Sequence, residues 1–157
     1  MESKKKQERY QRLKSQIADL LTKCEDTEAR MATVIAVLHH KMDYFFWTGF
    51  YFLKDDRLIV KMYQGPVACM ELKKDTGVCW AGINQRKTIL VPDVHAFEGH
   101  IACDSRSQSE LVVPFFDKNG ELLGVLDIDS DQKNAFDEID VGNLEGILGM
   151  IAENTRG

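Results

Sequence analysis

Tyr10, Leu13, Ile17, Leu20 and Leu21 fall at steps of three and four, the period of one helix face, and predict an amphipathic helix over residues 5–23. Asp26-Thr27 is an N-cap signal for a second helix, whose apolar stripe is Met31, Val34, Ile35, Leu38 and Met42. The pattern then changes. Residues 45–53 are aromatic and β-rich, Asp55-Asp56 predicts a turn, and residues 58–62 return as a strand. Residues 67–72 predict a third strand carrying Cys69, residues 76–87 a short helix, and residues 88–91 a further strand.

From Pro92 to Ser109 periodicity is lost among Gly, His, Asp and Ser, so this stretch predicts a long loop of the kind that carries function in a compact domain. Residues 110–116 and 121–129 are two strands joined by Asp117-Lys118-Asn119-Gly120, whose Asn-Gly predicts a type I′ hairpin. Val141, Leu144, Leu148 and Ile151 mark a closing helix. No repeat and no Pro/Gly-rich linker interrupts the chain. The expectation is one α+β domain over 1–157: N-terminal helices in 1–43, a mostly antiparallel sheet with its loop in 44–131, and a C-terminal helix in 132–157.

Composition changes this picture little. With 157 residues, 44% hydrophobic and 29% charged, the chain can bury a core without staples. The net charge of -5 argues against a nucleic-acid surface, which needs a basic face. The basic cluster from Lys4 to Lys14 reads as a solvated helix face. No apolar run reaches the roughly 18 residues of a membrane span, and a polar stretch stands where a signal peptide would be apolar. The expected location is cytoplasmic, where four cysteines are not a disulfide framework.

Cys24, at the end of the first helix, reads as a small apolar filler. Cys103 sits in the long loop, where a reactive thiol has the access it needs, and an inert thiol is the equal alternative. Cys79 lies near a helix start, a position that would lower its pKa. His95, His100 and Cys103 are zinc-type ligands, but His-x4-His-x2-Cys matches no closed site, and the histidines read better as loop-ordering partners. Asp127 and Asp129, two apart, point to one sheet face at the end of an apolar strand, and Glu110 begins its hairpin partner. Such acids need donors or a cation. Trp47 and Tyr51, four apart with Gly49 between them leaving space, suit either a sheet core or an aromatic pocket wall.

Trp47-Thr48-Gly49-Phe50-Tyr51, Gln64-Gly65-Pro66-Val67-Ala68-Cys69 and Gly77-Val78-Cys79 occur in order. Val91 to Asp104, Ser109-Glu110 and Gly124-Val125-Leu126-Asp127-Ile128-Asp129-Ser130 follow. Together these resemble the GAF-domain free methionine-(R)-sulfoxide reductases, densely from Tyr44 to Asp131. The resemblance implies a GAF fold whose long loop closes a small pocket, with Cys103 as catalytic cysteine, Cys69 as resolving cysteine and Cys79 as a third cysteine of secondary role. It implies Glu110, Asp127 and Asp129 as substrate-binding carboxylates and Trp47 and Tyr51 as the aromatic wall. A glycine usually follows the family's middle cysteine; here Cys79 is followed by Trp80.

The implied reaction reduces free methionine-(R)-sulfoxide through a cysteine sulfenic acid that a second thiol converts to a disulfide, regenerated by thioredoxin. No cofactor and no metal are implied, and the family suggests a dimer. The rival from another class is a GAF sensor that binds a small ligand without turnover.

Overall fold

The structure, a computed structural model, describes residues 1–100 and 103–153; positions 101–102 of the expected loop and 154–157 of the expected closing segment lie outside the described residues. Two helices come first, α1 (Ser3–Leu21) and α2 (Thr27–Lys41), the second capped by the Asp26 carboxylate accepting from the Ala29 N–H. Strands β1 (Trp47–Lys54), β2 (Arg57–Gln64) and β3 (Glu71–Leu72) follow, then α3 (Gly77–Gln85) and β4 (Ile89–Val91). After a 3-10 turn at Val94–Ala96 come β5 (Ser109–Phe116), β6 (Leu122–Ser130) and α4 (Glu138–Ala152). The six strands form one antiparallel sheet in the order β3-β2-β1-β6-β5-β4. This is the expected α+β architecture.

Strand alternation divides the buried residues between two layers. Phe50, Leu111, Val113, Phe115, Leu126 and Ile128 meet the apolar stripes of α1, α2 and α4 in the larger core. Trp47, Tyr51, Val112 and Val125 point to the opposite face, where α3 brings Val78, Trp80 and Ile83. The central strands are therefore buried on both sides. The second, smaller layer is where polar side chains enter the interior.

Four local expectations fail for identifiable reasons. Only Glu71–Leu72 of the expected third strand pair with β2. Gly65, at φ 120°, and Pro66, which has no N–H to give to a ladder, turn the chain away. Cys69 is thus in a loop, between the exposed side chains of Val67 and Met70. The β5–β6 hairpin is not type I′, since Gly120 takes a positive φ of 82° but Asn119 does not. The Asp117 carboxylate accepts from the N–H groups of Asn119 and Glu121 and stabilises a wider turn with a register shift beside Phe116. The basic face of α1 is not wholly solvated: Lys6 is buried, with its ammonium 2.7 Å from buried Asp140, whose carboxylate also accepts from Tyr10 and Tyr44. Cys24 is exposed rather than a filler, because α1 ends at Leu21 and the chain turns outward.

Candidate active site

The register of β5 on β6 sets Glu110 directly across from Asp129, with Val112 opposite Asp127. On the other side of β6, Asp129 faces Trp47 and Asp127 faces Gly49. Three carboxyl groups and two aromatic rings therefore share the face beneath α3. They line a cavity of about 70 Å³ together with Cys79, His100, Cys103, Asp104 and Ser107, among others.

Burial governs the charge of this floor. Loss of hydration, then the neighbouring Asp129, push the Glu110 carboxyl up to about 8. Burial first, and then Glu110 and Asp127 respectively, hold Asp127 and Asp129 well above the carboxylate range. Asp127 Oδ1 is buried with no hydrogen-bond partner among the described residues. Leaving such an atom unpaired costs about 1–3 kcal/mol, so this oxygen suits a donor or a cation brought by a ligand.

The aromatic wall is arranged differently from the expectation that Gly49 leaves open space. A Cβ on Gly49 would lie 2.4 Å from the Tyr63 Cβ and 2.6 Å from the Trp47 ring. The glycine lets the indole lie flat on β1, stacked on Tyr63 at 5.1 Å and on Tyr51 at 5.9 Å between centroids. Tyr63 was not marked by the sequence. Its only signal is its pairing with Gly49, which depends on the β1–β2 register.

Both wall residues also hold the loop after β2. The Trp47 Nε1–H donates to the Pro66 carbonyl at 3.1 Å and the Tyr51 hydroxyl to the Cys69 carbonyl at 2.9 Å. Cys69 is thereby presented to the long loop, where it is joined to Cys103 in a disulfide with a Cα–Cα separation of 5.6 Å. Cys103 is exposed and Cys69 half-buried, so a reductant can reach the bond.

Cys79 is not in that disulfide, and its thiol is the reverse of what its place near a helix start predicts. Burial, then Asp127, Glu110 and Asp129, push it well above the ordinary value, outweighing the helix dipole. Gly82, one helical turn on, sets this position. A Cβ there would be 2.8 Å from Val112 Cγ1, so only glycine lets α3 settle this close to β5. The Sγ of Cys79 and carboxylate oxygens of Glu110 and Asp127 all lie within 4.8 Å of one another.

The zinc-type grouping of His95, His100 and Cys103 is not formed. His95 is exposed, and Cys103 is bonded to Cys69. His100 lies instead with Nε2 3.4 Å from Glu110 Oε1, and its burial lowers its pKa. The loop around it is anchored by Val94 N–H to the Gln108 carbonyl and Gln108 N–H to the Ser130 carbonyl. Asp104 grips Arg106, whose guanidinium lies 4.8 Å from the Phe46 ring centroid. Asp104, Ser107 and Phe46 line the cavity without having been singled out from the sequence. Asp104 and Ser107 lie in an irregular loop and Phe46 meets Arg106 only through the fold, so none carries a periodic signal.

Similarity to known proteins agrees with this arrangement. The GAF domain family matches residues 25–154. GAF domain-containing protein A of Dictyostelium discoideum is 46% identical over 147 residues, 93% of this chain and 92% of that protein. The free methionine-R-sulfoxide reductase of Escherichia coli is 37% identical over 123 residues, covering 78% and 74%. The X-ray structure of free methionine-R-sulfoxide reductase from Neisseria meningitidis, in complex with its substrate, superposes with a TM-score of 0.87 at 36% identity, over 92% of this chain and 87% of that one. With its fold, its pair of bonded cysteines and these relatives in agreement, the chain belongs to the GAF-domain family of free methionine-(R)-sulfoxide reductases.

Proposed function

We propose that this protein reduces free L-methionine-(R)-sulfoxide to methionine, with Cys103 as the nucleophile and Cys69 as the thiol that resolves it. The observation that carries the reading is the Cys69–Cys103 disulfide, whose Cys103 lines a cavity together with Glu110, Asp127 and Asp129. The Cys103 thiolate attacks the sulfoxide sulfur while a carboxyl of the floor gives a proton to the sulfoxide oxygen. The oxygen passes to Cys103, leaving methionine and a sulfenic acid. The Cys69 thiol displaces water from that sulfenic acid and closes the disulfide. A dithiol reductant of the thioredoxin class, with a potential near -270 mV, then returns both thiols and is itself oxidised to a disulfide.

The floor suits a free amino acid. Burial favours the protonated form of these carboxyls, so one can donate to the sulfoxide oxygen. The arriving ammonium supplies the positive charge that favours ionisation of another, with Asp127 Oδ1 as the acceptor without a partner. Trp47 and Tyr51 flank the methyl and thioether. Cys79, with its raised thiol, is not a competing nucleophile in this scheme.

Turnover of the separate R and S sulfoxides of free methionine, with thioredoxin and its reductase, tests the proposal. Rapid reduction of the R form and discrimination of roughly 10⁴-fold against its N-acetylated analogue are expected, since blocking the amine leaves buried carboxyls unpaired. Equal turnover of the blocked form would refute the assignment of the floor. Ligand binding without methionine release would make the protein a sensor.

A further inference from the structure

We infer that the cavity floor also binds a single divalent transition-metal ion of the Zn²⁺ class, on the Cys79 thiolate, a Glu110 oxygen and an Asp127 oxygen. These three ligand atoms already lie within 4.8 Å of one another, and all three residues are buried. A tetrahedral zinc site with bonds of about 2.0–2.3 Å sets its ligands about 3.5 Å apart, so the side chains need only draw inward. Sulfur with oxygen is a donor set that zinc accepts and that magnesium and calcium do not favour. All three ligands line the cavity, which has room for a further ligand beside them.

Two independent observations support an ion rather than a chance meeting of acids. Asp127 Oδ1 is buried without a hydrogen-bond partner among the described residues, on a side chain that lines the cavity with Cys79 and Glu110. Cys79 is a free, buried thiol, and the close packing of Gly82 on Val112 brings its helix against the sheet and its sulfur against those carboxylates. The ion would occupy the place that the proposed reaction gives to the substrate's ammonium, so it would act as a competitive inhibitor. That consequence rests on the proposed function; the ion site itself does not.

The test uses the full-length oxidised protein carrying Cys24→Ser, in which Cys69 and Cys103 are bonded and Cys79 is the remaining thiol. Titration with Co²⁺ should produce a saturable sulfur-to-cobalt charge-transfer band at one ion per chain, abolished by added Zn²⁺. Adding Cys79→Ser should remove the band. Asp127→Asn, which keeps the thiol, should weaken Co²⁺ binding by at least the roughly 10–100-fold that loss of an outer-shell partner costs. No band, or a band that survives Cys79→Ser, overturns the site, as does unchanged affinity in Asp127→Asn. Displacement of the band by free methionine supports a shared floor; a band unmoved by saturating methionine overturns the competition. Because the band is read without turnover, its absence leaves the reductase proposal intact, and failure of that proposal leaves the band intact.

Discussion

The Tyr51 hydroxyl donates a 2.9 Å hydrogen bond to the backbone carbonyl of Cys69, tying a side chain of the sheet to the loop that carries half of the disulfide. Trp47 repeats the device four residues earlier on the same strand by donating to Pro66. The wall of the cavity and the position of Cys69 are thus set by the same two rings.

Tyr51→Phe should separate these roles. The ring remains, but the Cys69 carbonyl loses a donor worth about 1 kcal/mol net, so closure of the disulfide should slow by about fivefold. Methionine release in a single turnover should change less. Rapid quenching with a sulfenic acid reagent would reveal the accumulating intermediate, and equal slowing of both steps would contradict the separation.

In the proposed cycle Cys103→Ser abolishes even a single turnover, because no nucleophile remains. Cys69→Ser should release one methionine per chain and stall with thioredoxin as reductant. Cys79→Ser should keep cycling with thioredoxin, because its raised thiol takes no part in the sulfur steps. Quantified methionine under single- and multiple-turnover conditions distinguishes the three, and a mapped Cys79–Cys103 link as the major oxidised species would reverse the assignment of Cys69.

The Glu110 carboxyl makes stability depend on pH in a defined direction. Its pKa is about 8 in the fold against 4.5 ordinarily. Below 4.5 both folded and unfolded chains hold the proton and its contribution is complete. Between 4.5 and 8 the unfolded chain has lost the proton while the fold keeps it, so stability falls as pH rises, by up to about 1.4 kcal/mol per pH unit. The ligand-free protein in chelator should show a declining Tm across this window. Glu110→Gln, which resembles the protonated acid, should flatten that decline; an unaltered slope would remove Glu110 as its source.

Gly82→Ala tests the approach of α3. Alanine gains about 1 kcal/mol in helix propensity, but its Cβ would stand 2.8 Å from Val112 Cγ1. Forcing a methyl into a packed core costs about 1–3 kcal/mol, so a net loss of about 1 kcal/mol is expected in urea unfolding. Because Cys79 rides on the same helix, its thiol should also become alkylatable. Increased stability with an inert Cys79 would argue that the helix does not need this contact.

The sequence by itself determined the helices, the central strands and the family. Tyr10, Leu13 and Ile17 on one helix, and Met31, Val34 and Leu38 on the next, are all buried because a 3.6-residue period can turn them to one side only. Asp127 and Asp129 share a face for the analogous reason of period two, and the motifs running to Cys103 identified the family before any geometry. Where local rules competed or did not decide, the sequence misled. The burial of Lys6 depends on a hydrogen bond to Asp140, 134 positions away, which no local pattern specifies, while the break at Gly65-Pro66 and the wider turn held by Asp117 came from local residues whose effect outweighed the strand and Asn-Gly signals. Tertiary structure alone decided which groups meet. Cys69 and Cys103 are thirty-four positions apart, and only the sheet order, with the loops anchored on Tyr51, Gln108 and Ser130, closes that distance. The state of Cys79 was decided in the same way: its helix position would lower the thiol's pKa, but packing against Glu110 and Asp127 raises it, because burial and two nearby acids outweigh a helix dipole.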